Sequence, residues 1–131
     1  MIVILDSGHN VKTPGKRSAD EKVIEAIYCH KLVKHVYGRL CGVRGINVFH
    51  LDNDMERNGE NDNAELNYRV AMANAIADVN KRFNQPVILV SVHLDAGPES
   101  ARGASAWIAP TASASSKLLA KKFAENIERL D

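Results

Sequence analysis

The chain has 131 residues, a formal net charge of +1, and 45% hydrophobic and 25% charged residues. That length holds one domain with a substantial core and is short for two, so the expectation is a single domain over residues 1–131. The near-neutral balance gives no electrostatic case for nucleic acid or an anionic membrane as main partner, and apolar runs of about six residues fall far short of the roughly 20 that span a bilayer.

The chain opens on an apolar run, Ile2-Val-Ile-Leu5, which reads as a buried strand. It leads straight into a polar turn, Asp6-Ser7-Gly8-His9-Asn10. The opening has no basic region followed by a long apolar one, so no signal peptide is expected in this stretch. Pro14-Gly15 marks a turn, and Ser18 or Asp20 is placed to cap a helix from about Lys22 to Leu40. Its apolar positions, from Val23 and Ile24 through Ile27, Tyr28, Leu32 and Val33 to Val36, Tyr37 and Leu40, have helical spacing. Cys29 and Cys41 lie on that helix roughly 18 Å apart, too far for a disulfide, and both read as small buried hydrophobes. Residues 46–51 read as a second strand, and the acidic, Asn-rich stretch 52–63 as a loop. A second helix runs from about Ala64 to Phe83, with Leu66, Val70, Ala73 and Ala77 on one face. Pro86 starts a third strand that ends in Ser91-Val92-His93-Leu94-Asp95, and 97–100 form a turn. Gly103 to Ala109 reads as a fourth strand, and a Ser or Thr at 111–113 can cap a last helix of about 115–129. The order β-α-β-α-β-β-α predicts an α/β three-layer sandwich with a mostly parallel sheet flanked by helices.

Two buried strands thus each deliver a histidine, His9 and His93, just past their carboxyl ends, where open α/β sheets place ligands. A catalytic zinc takes three protein ligands and keeps one open position. The third ligand would be a carboxylate on the first helix, where Glu21 and Glu25 are available. Helical phase turns Glu25 toward the apolar side, within about 40° of Cys29, Leu32 and Val36. An unpaired carboxylate there is costly unless a cation accompanies it. A lone strand-end histidine is ordinarily a hydrogen-bonded structural residue, so the metal and structural readings both stand on these residues alone. His30 and His35 are five apart, which does not make a zinc pair, and read as surface or boundary residues; His50 reads as structural. There is no His-Glu-x-x-His, no Cys-x-x-Cys and no nucleophile elbow.

Four motifs in order resemble the zinc-dependent N-acetylmuramoyl-L-alanine amidases of the amidase-3 type, which hydrolyse cell walls. They are Asp6-Ser7-Gly8-His9, Leu66-x-x-Arg69-x-x-x-Ala73-Asn74, Ser91-Val92-His93-Leu94-Asp95-Ala96, and Ala101-Arg102-Gly103 ahead of Trp107. The loop Thr13-Pro14-Gly15-Lys16-Arg17-Ser18 is similar to that of phage-type amidases and their bacterial relatives. The resemblance implies zinc held by His9, a glutamate of the first helix and His93, with peptidoglycan as substrate and action at the wall, in the periplasm or outside the cell. The general family motif favours Glu21; the subgroup loop and the inward phase favour Glu25. Asn10, Asp95 and Arg102 fall where substrate contacts are implied, with turn or supporting roles as the alternative. Asp95 stands where the family usually has Asn. Family members continue into further strands that carry a second, catalytic glutamate, which no residue here matches. The expectation is therefore a domain shortened at its C-terminus, with an exposed apolar edge and a tendency to self-associate. Either it retains amidase activity, or it binds zinc and peptidoglycan without turnover, or it is another zinc peptidase.

Overall fold

The computed structural model describes residues 1–51, 62–97, 100 and 103–127. Residues 52–61 of the expected 52–63 loop, Arg102 and the end of the last helix lie outside the described residues, as does the middle of the 97–100 turn; residues 62 and 63 belong to a helix. The backbone divides into two compact units, Met1–Asp95 and Ala96–Asp131.

In the first unit, three strands form a parallel sheet among the described residues. They are β1 (Ile2–Ser7), β2 (Asn47–Leu51) and β3 (Val87–Val92), in the spatial order β2-β1-β3. The helices are α1 (Glu25–Leu40), between β1 and β2, and α2 (Asp62–Lys81), between β2 and β3. Every residue of β1 is buried, as expected of a central strand covered on both faces. The strand order fixes where the helices go. The first crossover steps one way along the sheet and the second steps back past β1. Right-handed connections then put the two helices on opposite faces.

The packing follows that rule. Val3 and Leu5 pack with Val33 of α1, joined by Val36 and Leu40, while Ile2 and Ile4 pack with Ala73 and Ile76 of α2. Ile2, Ile4, Val33 and Cys29 are almost wholly enclosed, and each branched aliphatic among them contributes about 1.5–3 kcal/mol by burial. The α/β layering expected from the sequence is thus present.

Several boundaries and faces differ from the sequence reading. Residues 17–24 do not join α1; Arg17 and Ile24 form an antiparallel bridge, with the Ser18 amide donating to the Val23 carbonyl at 2.8 Å. The helix therefore starts at Glu25, with Ile24 as an N-cap that offers no side-chain bond. Cys29 is buried but Cys41 is exposed, and His30, expected near the surface, is buried. On α2 the inward face is Glu65, Arg69, Ala73 and Ile76, while Leu66 and Val70 are about half exposed. The inward face is shifted because its first two turns carry a polar pair in place of apolar side chains.

The second unit contains α3 (Ala114–Ile127). Its start is set by Ser113, whose Oγ accepts the Ser116 amide at 3.1 Å, as a Ser cap does. The expected fourth strand does not form: residues 103–109 make no strand pairing, and Gly103 sits at φ 100°. Its alternation is too weak to define a strand, since five of its seven residues are Gly, Ala or Ser.

Candidate metal centre

A sheet of order 2-1-3 has its topological switch point between β1 and β3, the place where such sheets leave a crevice beyond the carboxyl ends of the strands. His9 follows β1 and His93 follows β3, so both histidines emerge at that switch point. Glu25 reaches it from the first turn of α1. One ligating atom from each of His9, Glu25 and His93 lies within 4.8 Å of the others. The imidazoles of His9 and His93 meet edge to face, with ring centres 4.9 Å apart.

Each side chain is aimed by local structure. His9 has φ 59°, the left-handed region that non-glycine residues seldom adopt. The turn after it is held by Asn10, whose side-chain oxygen accepts the Lys12 amide at 2.9 Å; the Asn10 amide donates to Thr13 Oγ1 at 3.2 Å. Glu25 is delivered by the bridged loop before it, and its amide donates to the Lys16 carbonyl at 3.1 Å. A carboxylate in the first turn of a helix is also favoured by the helix dipole. Glu25 is buried, and its Oε1 accepts the Leu94 amide at 3.0 Å while lying 3.1 Å from His93 Nδ1 and 3.6 Å from His9 Nε2.

Gly8 makes room for His93. A Cβ built there meets the imidazole ring, with Cγ at 2.9 Å, closer than side chains come. Space is the constraint, since Gly8 is not among the residues with positive φ.

Burial holds the His9 imidazole below its ordinary pKa of 6.5; Glu25 opposes this, and the charges of His93, Lys16 and Arg69 add to it. The effect favours the neutral, ligating form of the ring. Cys29 lies one turn along α1 from Glu25, but burial first, and then the Glu25 charge, push its thiol up to about 11. It stays a neutral, buried side chain under the site.

Behind His93 runs a polar chain whose link from Asp6 to Ser91 sequence reasoning missed. Ser91 Oγ lies 3.1 Å from His93 Nε2 and 2.6 Å from Asp6 Oδ2. Arg69 Nη1 donates to the same Asp6 oxygen at 2.7 Å, and both charged side chains are about 9% exposed. Asp6 and Ser91 are opposite each other in the parallel register, so the two side chains share a face.

Of the residues singled out in the sequence, the structure brings His9, Glu25 and His93 together. Glu21, the alternative carboxylate, is exposed in the preceding turn at φ 56°. Asn10 is buried in the turn beside His9, Asp95 is exposed at the end of the first unit, and Arg102 lies outside the described residues. No helix among the described residues is long and apolar enough to cross a membrane.

The donor set suits a borderline cation such as zinc: two imidazole nitrogens and one carboxylate oxygen. Its polarity also calls for one. Ser91 has a single hydroxyl proton, and the short contact to the Arg69-paired Asp6 carboxylate takes it. Ser91 then accepts from His93 Nε2–H, which in the neutral ring leaves the Nδ1 lone pair facing the Glu25 carboxylate. A metal cation between these two atoms, 3.1 Å apart, satisfies both.

A family model described as Amidase_3, N-acetylmuramoyl-L-alanine amidase, matches residues 3–131. Comparison with curated proteins and with solved structures gives no match.

Proposed function

This chain belongs to the Amidase_3 family of N-acetylmuramoyl-L-alanine amidases, and on that premise we propose that it is a zinc-dependent peptidoglycan amidase acting at the cell wall, outside the cytoplasm. The bond cleaved is the amide between the lactyl group of N-acetylmuramic acid and L-alanine of the stem peptide. One observation carries the reading: His9, Glu25 and His93 converge beyond the carboxyl ends of β1 and β3 with ligating atoms within 4.8 Å.

In this reading His9 Nε2, Glu25 Oε1 and His93 Nδ1 hold the metal. A bound zinc ion supplies Lewis acidity, polarising the amide carbonyl and acidifying a water. The Leu94 amide keeps the Glu25 carboxylate turned toward the two imidazoles. Burial keeps His9 neutral and ready to ligate. Asn10 acts through the turn that aims His9, and Asp95, at the end of the first unit, contacts the substrate.

A second reading, a domain that binds zinc and peptidoglycan without cleaving, is favoured by one observation. Glu25 is the single carboxylate of the cluster among the described residues. Its Oε1 is already committed to both histidines and the Leu94 amide, and a carboxylate spent as a metal ligand is not the group that takes the proton of the attacking water.

A digest of purified peptidoglycan with the zinc-loaded chain, read by mass spectrometry, separates the two. The amidase releases stem peptides with a free L-alanine amine. Cleavage within the stem peptide would make the chain a peptidase, and no product from a folded, zinc-loaded chain would establish the binding domain.

A further inference from the structure

We propose that Arg69, Asp6 and Ser91 are positioning residues that fix His93 as the Nε2–H tautomer and so present its Nδ1 to the metal. The inference rests on the zinc reading above and deepens it, because it names the atom that ligates and the residues that choose it.

The argument is one of donors and acceptors. Histidine is the one ligand here with a choice of atom: either ring nitrogen can bind a metal, and the bond made by the other decides which does. Arg69 has only donors, so it makes Asp6 Oδ2 an acceptor. Ser91 stands second, with one proton to give and two lone pairs. Its 2.6 Å contact to Asp6 lies in the range of a hydroxyl bonded to a carboxylate, so the proton goes there. Its remaining acceptor capacity faces His93 Nε2 at 3.1 Å. The ring must then carry a hydrogen on Nε2, and in the neutral, ligating ring Nδ1 is left with its lone pair toward the Glu25 side of the cluster. Each link takes the direction of its proton from the one before, and the direction begins at a guanidinium, which has donors and no acceptor.

The fold supplies the alignment. Asp6 and Ser91 are register partners on neighbouring parallel strands, and Arg69 comes from the inward face of α2. The relay therefore reaches His93 from the α2 face, whereas Glu25 comes from α1 on the other. His93 is held at both nitrogens, from the two helical layers of the sandwich. His9, by contrast, is aimed by its own backbone turn.

The test combines a spectroscopic and a binding readout on the full chain. Long-range nitrogen–proton correlation spectra of the zinc-loaded, nitrogen-labelled chain should show His93 protonated at Nε2 and metal-bound at Nδ1. Ser91→Ala should lower zinc affinity by about 10–100-fold, the usual cost of losing a ligand's outer partner, with the thermal melt still cooperative. Ser91→Thr, which keeps the hydroxyl, should restore the affinity; a purely structural role for Ser91 would not predict that rescue together with the tautomer. Ligation through His93 Nε2, or a Ser91→Ala chain that binds zinc as the wild type does, overturns the relay and leaves the zinc site standing. A wild-type chain that binds no zinc overturns both.

Discussion

Replacing Gly8 by Ala tests how the site is built, because it adds one methyl and no charge. The new Cβ falls on the His93 ring, with Cγ at 2.9 Å. Gly8 does not require a left-handed backbone, so strain there is not part of the effect. Keeping the ring in place would cost about 1–3 kcal/mol of overpacking. Letting it swing away forfeits the two 3.1 Å contacts, to Glu25 and to Ser91. His93 is about 41% exposed on its side chain, so the outward path is open and relief by rotation wins. Zinc affinity should then fall by at least about 10–100-fold, as when a ligand loses its orienting partners. The melting temperature should drop by no more than the overpacking cost allows, at roughly 2–8 °C per kcal/mol. A competition titration against a chromophoric chelator, run beside a thermal melt, reads both. Wild-type zinc affinity in Gly8→Ala would refute the close approach of His93 to the β1 turn, and with it the geometry of the site.

Two further outcomes follow from the buried charges. Arg69→Met leaves Asp6 buried without its cation, which should cost about 3–5 kcal/mol in urea unfolding; a loss under about 1 kcal/mol would mean that the pair behaves as an exposed one. His9 is held below its ordinary 6.5 chiefly by burial, so between the two values the unfolded chain binds the extra proton. The stability concerned is present above pH 6.5 and is lost as the pH falls through the lower folded value. Urea midpoints of the metal-free chain should therefore decline from about pH 6.5 downward, less steeply in His9→Gln. A midpoint that rises over that interval in the wild type would contradict the sign.

Much of this architecture can be read from apolar patterning. The run Ile2–Leu5 and the segment after Pro86 are continuous enough to mark buried strands, and the order of elements then fixes parallel pairing and helices on both faces. Glu25 was legible through helical phase because an acidic residue on an inward stripe stands out. The start of α1 was not, because the bridge between Arg17 and Ile24 is a tertiary closure that local capping signals do not register. The inward face of α2 was misread for a related reason. Glu65 and Arg69 occupy core-facing positions usually given to apolar side chains, and their partner Asp6 is 63 residues from Arg69. The link between Asp6 and Ser91 needs the strand register, which the pattern of residues does not supply. Residues 103–109 show the opposite failure: an aromatic and an isoleucine at the end of a small-residue stretch suggested a strand, and these residues form none.

The most direct test of the central claim is zinc stoichiometry by equilibrium dialysis of the wild-type chain and His93→Ala. The account predicts one tightly bound zinc per wild-type chain and none held stoichiometrically once His93 is gone, since two ligands, His9 and Glu25, would remain. A wild-type chain without stoichiometric zinc, or a His93→Ala chain that keeps it, would contradict the metal centre.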